Sequence, residues 1–192
     1  FRRVLFRSFP EVKINNDFGG EINPETHKVF CDGACSQNGK LNSRAGFGII
    51  FVSGPWIGRN YIKRVSFKKQ TNIVAEGEAI LYILQSLEED IHLDKTKWKT
   101  CQIYTDSEFW IKMIKRYMPK WSDKDFKDKK NSFLTIPIWK LWNKIMSLGK
   151  DLEIIYVPAH NKQNWNNSGD KYKQFCYDNN YIADLLATFS LK

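Results

Sequence analysis

The order of predicted elements along the chain indicates an α/β protein with one five-stranded mixed sheet flanked by helices. Three short apolar segments come first with no helical pattern between them, which predicts three antiparallel strands. Later apolar segments alternate with helical patterns, which predicts parallel strands covered by helices. The 192 residues are 42% hydrophobic and 15% aromatic, which is sufficient for a packed core. We therefore expect one main domain without internal repeats.

The antiparallel part of the sheet is predicted from three ranges. Residues 29–32 form a short predicted strand that stops at Gly33, and residues 45–52 form a second, apolar one after a polar turn. Residues 60–67 alternate polar and apolar side chains, which is typical of a half-buried strand. Together the three ranges predict an antiparallel meander.

The rest of the chain alternates between helical and strand patterns. From residue 72 the apolar side chains recur at helical spacing, which predicts an amphipathic helix. Proline and glycine residues mark the ends of several later elements. These elements are a strand at 101–105, a helix at 107–118, a helix at 137–148, a strand at 152–157 and a helix at 180–189.

The chain divides into three unequal parts. Residues 1–8, FRRVLFRS, resemble the translation of a sequencing adapter, so we interpret them as an artefact of a gene assembled from metagenome reads. Residues 9–27 are polar, carry turn signals and predict a lead-in segment. Residues 28–192 form the predicted domain.

Charge and cysteine content favour an intracellular protein with a polyanionic partner. The formal net charge is +9, and it is still +6 (9 − 3) without the three arginines of residues 1–8. No apolar run approaches the roughly 18 residues that span a bilayer, and no signal peptide is visible. Cys31 and Cys35 lack a second pair at zinc-ligand spacing, so reduced thiols are favoured over a zinc site. We expect a cytoplasmic protein that does not bind membranes.

Four carboxylates stand in short motifs near strand or helix ends: Asp32, Glu76, Asp106 and Asp184. Glu76 lies in the middle of the apolar face of its helix, whereas Glu78 points to the opposite side. Asp32 also fits an ordinary turn, Asp106 fits a helix N-cap and Asp184 fits a solvated helical position. Converging carboxylates repel each other unless cations lie between them, and oxygen ligands suit Mg²⁺ or Mn²⁺. The set predicts a two-ion site for phosphodiester hydrolysis.

The motifs around these carboxylates resemble those of type 1 ribonucleases H, which cut the RNA strand of RNA–DNA hybrids. The resemblance runs from about residue 29 to 189 and implies the ribonuclease H-like fold. In chain order, the matching strings are DGAC from Asp32, NG from Asn38, RAG from Arg44, TNIVAE ending at Glu76, TDS around Asp106, VPAH ending at His160 and NYIADLLA around Asp184.

The resemblance implies a role for each site residue. Asp32 would bridge two Mg²⁺ ions, for which Mn²⁺ can substitute. Asp184 would hold the ion that activates the attacking water, and Glu76 with Asp106 would hold the other ion. His160 would assist product release or proton movement from a mobile loop.

The resemblance also implies how an RNA–DNA hybrid is bound. Residues 112–130 carry eight Lys or Arg against three Asp and would form a basic protrusion. The residues expected to contact nucleic acid are Cys35, Asn38, Asn72 and Glu76 at RNA 2′-hydroxyls, Lys69 and Thr71 in a phosphate pocket, and Phe109, Tyr117, Lys120, Trp121, Lys124 and Lys127 in or near the protrusion.

The chain departs from the family pattern at several positions. Ile73 and Val74 replace a pair that is often polar, and Tyr117 stands where tryptophan is common. Residues 161–179 form a long polar insertion between His160 and the last motif. We expect a monomeric, sequence-nonspecific hybrid endonuclease that leaves 5′-phosphate ends. The alternatives are the ribonuclease H domain of a reverse transcriptase polyprotein and a catalytically silent hybrid-binding module.

Overall fold

The computed structural model describes residues 13–159, 165 and 169–192. The helices are α1 (Asn72–His92), α2 (Glu108–Lys112), α3 (Asp123–Asp128), α4 (Ser132–Ser147) and α5 (Lys171–Phe189). The strands are β1 (Thr26–Ser36), β2 (Arg44–Ser53), β3 (Asn60–Arg64), β4 (Thr100–Thr105) and β5 (Asp151–Tyr156).

The five strands form one mixed sheet in the order β3-β2-β1-β4-β5. β1 pairs antiparallel with β2, and β2 pairs antiparallel with β3. β4 runs parallel to β1 on one side and to β5 on the other. The predicted fold class is therefore confirmed, with three antiparallel strands followed by parallel ones.

Each face of the sheet has its own hydrophobic core. Alternate residues of β1 separate the two, since Val29 and Cys31 pack on the face that α1 and α4 cover, whereas Phe30 packs on the other. On that second face, Phe175 of α5 lies against the ring of Phe30. Among the described residues, no helix is both long and apolar enough to cross a membrane.

The helix predicted at 107–118 is shorter and less regular than expected. Ser107 is the N-cap of α2, and after Lys112 the chain continues as a π-helical turn, Met113–Tyr117, and a 3₁₀ turn, Met118–Lys120. Pro119 lies inside the 3₁₀ turn, where its missing N–H removes no helical bond.

One helix was not predicted, and α4 begins earlier than predicted. α3 was not predicted, although Ser122 and Asp125 form a capping box at its start. α4 begins at Ser132 rather than at Pro137, which occupies the sixth position of the helix and deprives it of one backbone hydrogen bond. Burial of Leu134 and the ring contact between Phe133 and Phe67 stabilise this extra turn.

α5 begins at Lys171, nine residues before the predicted start, so it takes up the second half of the predicted insertion. The lead-in segment is docked on this helix: Asn15 N donates to Asn179 Oδ1 over 3.2 Å, and Asn179 Nδ2 donates to Asn15 O over 2.6 Å. Phe18 packs edge-on against Phe175. The two segments therefore support each other on the α5 face of the sheet. The adapter-like residues 1–8 lie outside the described part of the chain.

Candidate functional site

Glu76 is buried at the start of α1 and has only 8% of its surface exposed. Thr71 caps the helix by accepting a hydrogen bond from Val74 N. The two carboxylate oxygens of Glu76 accept hydrogen bonds from Asn72 Nδ2, over 2.8 Å, and from Ser107 Oγ. These two donors fix the orientation of Glu76.

Glu78, two residues further along α1, lies on another side of the helix. It accepts hydrogen bonds from Ser66 N and Ser66 Oγ, so its carboxylate is held on the side of the helix away from the site. Helical periodicity thus distinguishes the two glutamates correctly, because only Glu76 faces the sheet end where the other carboxylates lie.

Asp32 comes from β1 and approaches Glu76 because the next residue has no side chain. A Cβ at Gly33 would lie 2.6 Å from Glu76 N and 2.8 Å from Ala75 Cβ. Glycine therefore lets β1 lie directly against the first turn of α1. Asp32 itself is buried, with 6% of its surface exposed.

Asp106 follows the last residue of β4, next to Asp32 and Glu76. One oxygen of each of these three carboxylates lies within 4.8 Å of the others. Ser107, rather than Asp106, caps α2 by accepting a hydrogen bond from Trp110 N. The capping role considered for Asp106 is therefore wrong.

Asp184 lies outside that three-carboxylate group but close enough for its charge to act on Asp32. It is half-buried on α5, whose backbone packs closely on β2. A Cβ at Gly48 would lie 2.4 Å from Leu186 Cβ and 2.5 Å from Ala183 O. Since Gly48 is the strand partner of Asp32, this close contact brings the Asp184 turn next to the site.

The carboxylates destabilise each other's charged forms. Burial and then the charges of Asp106, Asp184 and Glu76 raise the pKa of Asp32 well above its usual range. Burial also raises the pKa of Glu76 to about 7, although its hydrogen bond from Ser107 acts in the opposite direction. A cation between these oxygens would remove the repulsion, so the donor set fits a hard divalent metal ion such as Mg²⁺ or Mn²⁺.

A groove of about 610 Å³ lies beside the carboxylates, between the β1–β2 hairpin, α1 and the basic protrusion of residues 112–130. Its wall combines aromatic and apolar side chains, among them Phe109, Tyr117 and Trp121, with the cations of Lys69 and Lys129. This combination suits a nucleic-acid strand, because phosphates need cations and bases or sugars need apolar surface.

One end of the groove holds a small polar cluster. Lys69 Nζ donates to Asn131 Oδ1 over 2.8 Å, and Thr71 and Thr135 lie on the same wall. The hydroxyl of Thr135 is buried and has no hydrogen-bond partner among the described residues. Such a cluster of donors fits an anionic oxygen.

The remaining predicted contact residues are spread around this groove. Asn38 lies on its wall and accepts a hydrogen bond from Asn72 N over 3.4 Å, whereas Cys35 is half-buried with Sγ 3.5 Å from Gln70 O. The structure does not place the three outer lysines, Lys120, Lys124 and Lys127, on the groove wall. His160 lies outside the described residues.

Sequence reasoning assigned no site role to five polar or charged residues of this region. Asn131 and Thr135 carry no pattern that marks them, Lys129 and Lys130 were counted only as part of the protrusion, and Ser107 was quoted only within its motif. The one available signal was the position of Ser107 directly after Asp106 in the TDS motif.

The RNase H family model matches residues 24–188 of the chain. The Ribonuclease H of Schizosaccharomyces pombe is 26% identical over 178 residues, which are 88% of this chain and 62% of that protein. The chain therefore spans less than two thirds of the length of that relative.

The chain is also similar to many solved structures, two of which follow. RNase H1 from the halophilic archaeon Halobacterium salinarum NRC-1 has a TM-score of 0.53 at 19% identity, covering 86% of this chain and 97% of that one. A foamy viral protease-reverse transcriptase in complex with an RNA/DNA hybrid has a TM-score of 0.59 at 15% identity, covering 99% of this chain and 22% of that one. At these identities the likeness shows the fold.

Proposed function

The chain belongs to the ribonuclease H family, and on that premise we propose that it is a metal-dependent endonuclease that hydrolyses the RNA strand of RNA–DNA hybrids. It acts as a monomer without sequence preference and leaves 3′-hydroxyl and 5′-phosphate ends. The observation that carries the proposal is the cluster of two buried carboxylates, Asp32 and Glu76, with the half-buried Asp106, beside a cationic and aromatic groove. A hard divalent cation and a polyanion are the ligands that these two features require.

The carboxylates would hold two Mg²⁺ ions, or Mn²⁺, with Asp184 completing the set. Bound there, the ions supply an activated water and stabilise the leaving oxygen. The protein contributes rigidity, since Asn72 and Ser107 hold the two oxygens of Glu76. The oxygen set is therefore positioned before substrate arrives, which lowers the reorganisation that the reaction needs.

The groove would bind the hybrid through its backbone rather than its bases. Cys35, Asn38 and Asn72 face the RNA strand and distinguish it by its 2′-hydroxyls. Lys69 and Thr71, together with Asn131, bind a phosphate of the DNA strand. Contacts of this kind contribute affinity and fix the position of the hybrid, but they do not confer sequence specificity.

The outer parts of the site complete this proposal. Phe109, Tyr117 and Trp121 give the DNA strand an apolar wall. Lys120, Lys124 and Lys127 attract phosphates at longer range. His160 assists product release or proton movement.

A second candidate is the ribonuclease H domain of a reverse transcriptase. It is favoured by the foamy viral structure, to which almost the whole chain is similar although the chain covers only 22% of that protein. The full-length gene distinguishes the two candidates, because only the second requires a polymerase in the same reading frame.

The test is cleavage of a labelled hybrid in Mg²⁺ by the parent protein and by two matched variants. Glu76→Gln should lose at least about 100-fold in kcat, since metal ligation contributes several kcal/mol of transition-state stabilisation. Glu78→Gln removes the same charge two residues away and should retain parental activity. Binding without cleavage by the parent would instead support a silent hybrid-binding module, and equal cleavage by both variants would refute the metal-site assignment.

A further inference from the structure

A long part of the chain, residues 33–75, contains seven Lys or Arg and no Asp or Glu. The predicted protrusion at 112–130, by contrast, mixes eight cations with three aspartates. The surplus of positive charge is therefore larger in the region of β2 and β3 than in the protrusion. No role in the proposed catalytic site accounts for most of these cations.

Four of these cations lie near one end of the sheet, and we call them the hairpin-side surface: Lys40, Arg44, Arg64 and Lys68. Arg44 is the strand partner of Ser36 at the end of β1, and Arg64 is the partner of Gly46 at the end of β3. Lys40 lies in the β1–β2 turn, and Lys68 lies just before α1. This is the end of β1 that carries the proposed site.

Hydrogen bonds through Gln70 join the hairpin to the segment that precedes α1. Ala45 N donates to Gln70 Oε1 over 2.7 Å, and Ser43 Oγ donates to Gln70 O over 2.9 Å. Lys68 is adjacent in sequence to Lys69, which lies on the groove wall. Lys68 is therefore one residue away from the groove wall, and Gln70 holds the hairpin against the same segment.

Some of the described cations elsewhere in the chain, unlike the four of this surface, are engaged in ion pairs. Lys95, Lys99, Lys144 and Lys171 each form an ion pair with a nearby carboxylate. Within the described part of the chain, none of the four hairpin-side cations forms one. Protection of the β3 edge against strand pairing explains Arg64, but Lys40 and Lys68 lie in turns, where no edge needs protection.

Resting on the proposed function, we propose that the hairpin-side surface binds phosphates of the nucleic acid that flanks the cleaved segment of the hybrid. A duplex carries one charge per roughly 1.7 Å of its axis, so a strand leaving the groove past Lys69 presents phosphates continuously to this surface. The surface lengthens the bound segment and adds affinity without adding catalytic groups.

The test removes three charges from the surface and the same number from the opposite end of the sheet. The variant Lys40→Gln/Arg44→Gln/Lys68→Gln changes exposed side chains only, and Arg64 is left in place because its Nε donates to Ser190 O over 3.2 Å. The matched control neutralises three lysines that precede β4: Lys95→Gln, Lys97→Gln and Lys99→Gln. All forms carry Asp106→Asn, so that binding is measured without cleavage.

Binding is compared at 50 mM and 200 mM salt, on hybrids of about 20 and about 8 base pairs, because each phosphate contact contributes about 0.9 to the logarithmic salt slope. On the long hybrid, loss of three contacts should reduce the ratio of Kd at 200 mM to Kd at 50 mM by about 40-fold relative to the parent. The control and the short hybrid should keep the parental ratio.

Three results would overturn the inference. They are an unchanged salt slope in the hairpin variant, an equal loss in the control variant, and an equal loss on the short hybrid. Failure of the proposed function is recognised separately, because the parent with intact Asp106 would then fail to cleave either hybrid in Mg²⁺.

Discussion

Substitution of Gly77 by alanine should loosen the candidate metal site through a single steric contact. A Cβ at Gly77 would lie 2.1 Å from Cζ2 and 2.6 Å from Cε2 of Trp110. The Trp110 side chain is completely buried, and its Nε1 donates to Ile73 O over 2.8 Å. The ring therefore fills the space between the first turn of α1 and α2 and cannot move away freely.

The expected cost follows from three opposing contributions. Alanine in place of glycine within a helix stabilises the folded state by about 1 kcal/mol where space allows. Overpacking against a buried ring costs about 1 to 3 kcal/mol, and displacement of Trp110 breaks a hydrogen bond worth about 1 kcal/mol. The net loss in free energy of unfolding is about 1 to 3 kcal/mol, and 2 kcal/mol lowers Tm by about 4 to 8 °C in a chain of this size.

The assay is urea denaturation of a double-mutant cycle comprising Gly77→Ala, Trp110→Leu and the double variant. Trp110→Leu alone leaves a cavity and should cost several kcal/mol. In the double variant the alanine methyl enters that space, so the combined cost should fall below the sum of the two single costs by at least about 1 kcal/mol. Strict additivity of the two costs, or a Gly77→Ala protein more stable than the parent, would refute a steric contact between residue 77 and Trp110.

The same substitution should change the metal requirement more than substrate affinity. Glu76 precedes Gly77, and Asp106 lies four residues before Trp110, so displacement of the Trp110 ring separates the two carboxylates. The Mg²⁺ concentration for half-maximal cleavage should rise several-fold, while KM for the hybrid stays near the parental value. A higher KM with an unchanged Mg²⁺ requirement would indicate damage to the groove instead.

Two further predictions concern protons and metal. Because burial raises the pKa of Glu76 to about 7, protons compete with Mg²⁺, so Mg²⁺ should raise Tm more at pH 8 than at pH 6, and EDTA should abolish the difference. Burial also lowers the pKa of His27 from 6.5 to about 4. The folded protein keeps His27 neutral, whereas the unfolded chain takes up a proton below pH 6.5. The free energy of unfolding should therefore fall between pH 6.5 and 4, by at most about 3 kcal/mol. His27→Phe should flatten that part of the stability–pH curve, and an unchanged slope would show that His27 does not titrate there.

The sheet and the longest helix could be predicted because their signals are local. Apolar runs placed β2 and β5 within one residue at each end, and helical spacing placed the start of α1 at Asn72. The bounds of β1 and β3 were wrong, since β1 continues past Gly33 to Ser36 and β3 ends at Arg64 rather than at residue 67.

The starts of α4 and α5 could not be predicted from such local signals. Packing of Phe133 on Phe67 overrides the proline signal in α4. The first half of α5 is supported by a distant segment, since Asp17 pairs with Lys171 and Asn15 bonds to Asn179, which is 164 residues away.

Glu76 and Asp184 show why one rule cannot find every residue of such a site. Glu76 interrupts an apolar stripe, so its burial with charge indicated a function. Asp184 lies at the half-exposed margin of α5, beside the stripe rather than within it. A helical carboxylate that reaches past the end of a sheet lies at the border between the buried and exposed sides of its helix. At that border, position on the helix does not distinguish a functional aspartate from a solvated one.

The arrangement of the carboxylates depends as much on missing side chains as on the acids. Gly33 lets β1 touch the turn that carries Glu76, and Gly48 lets α5 lie on the strand paired with Asp32. Gly77 makes room for Trp110, which joins α1 to the helix that follows Asp106. Sequence reasoning searched for groups that bind metal, so it treated Gly33 only as the end of a strand and did not single out Gly48 or Gly77. Adding one methyl group at any of the three should therefore affect metal binding as well as stability, because each contact sets a distance between two carboxylates.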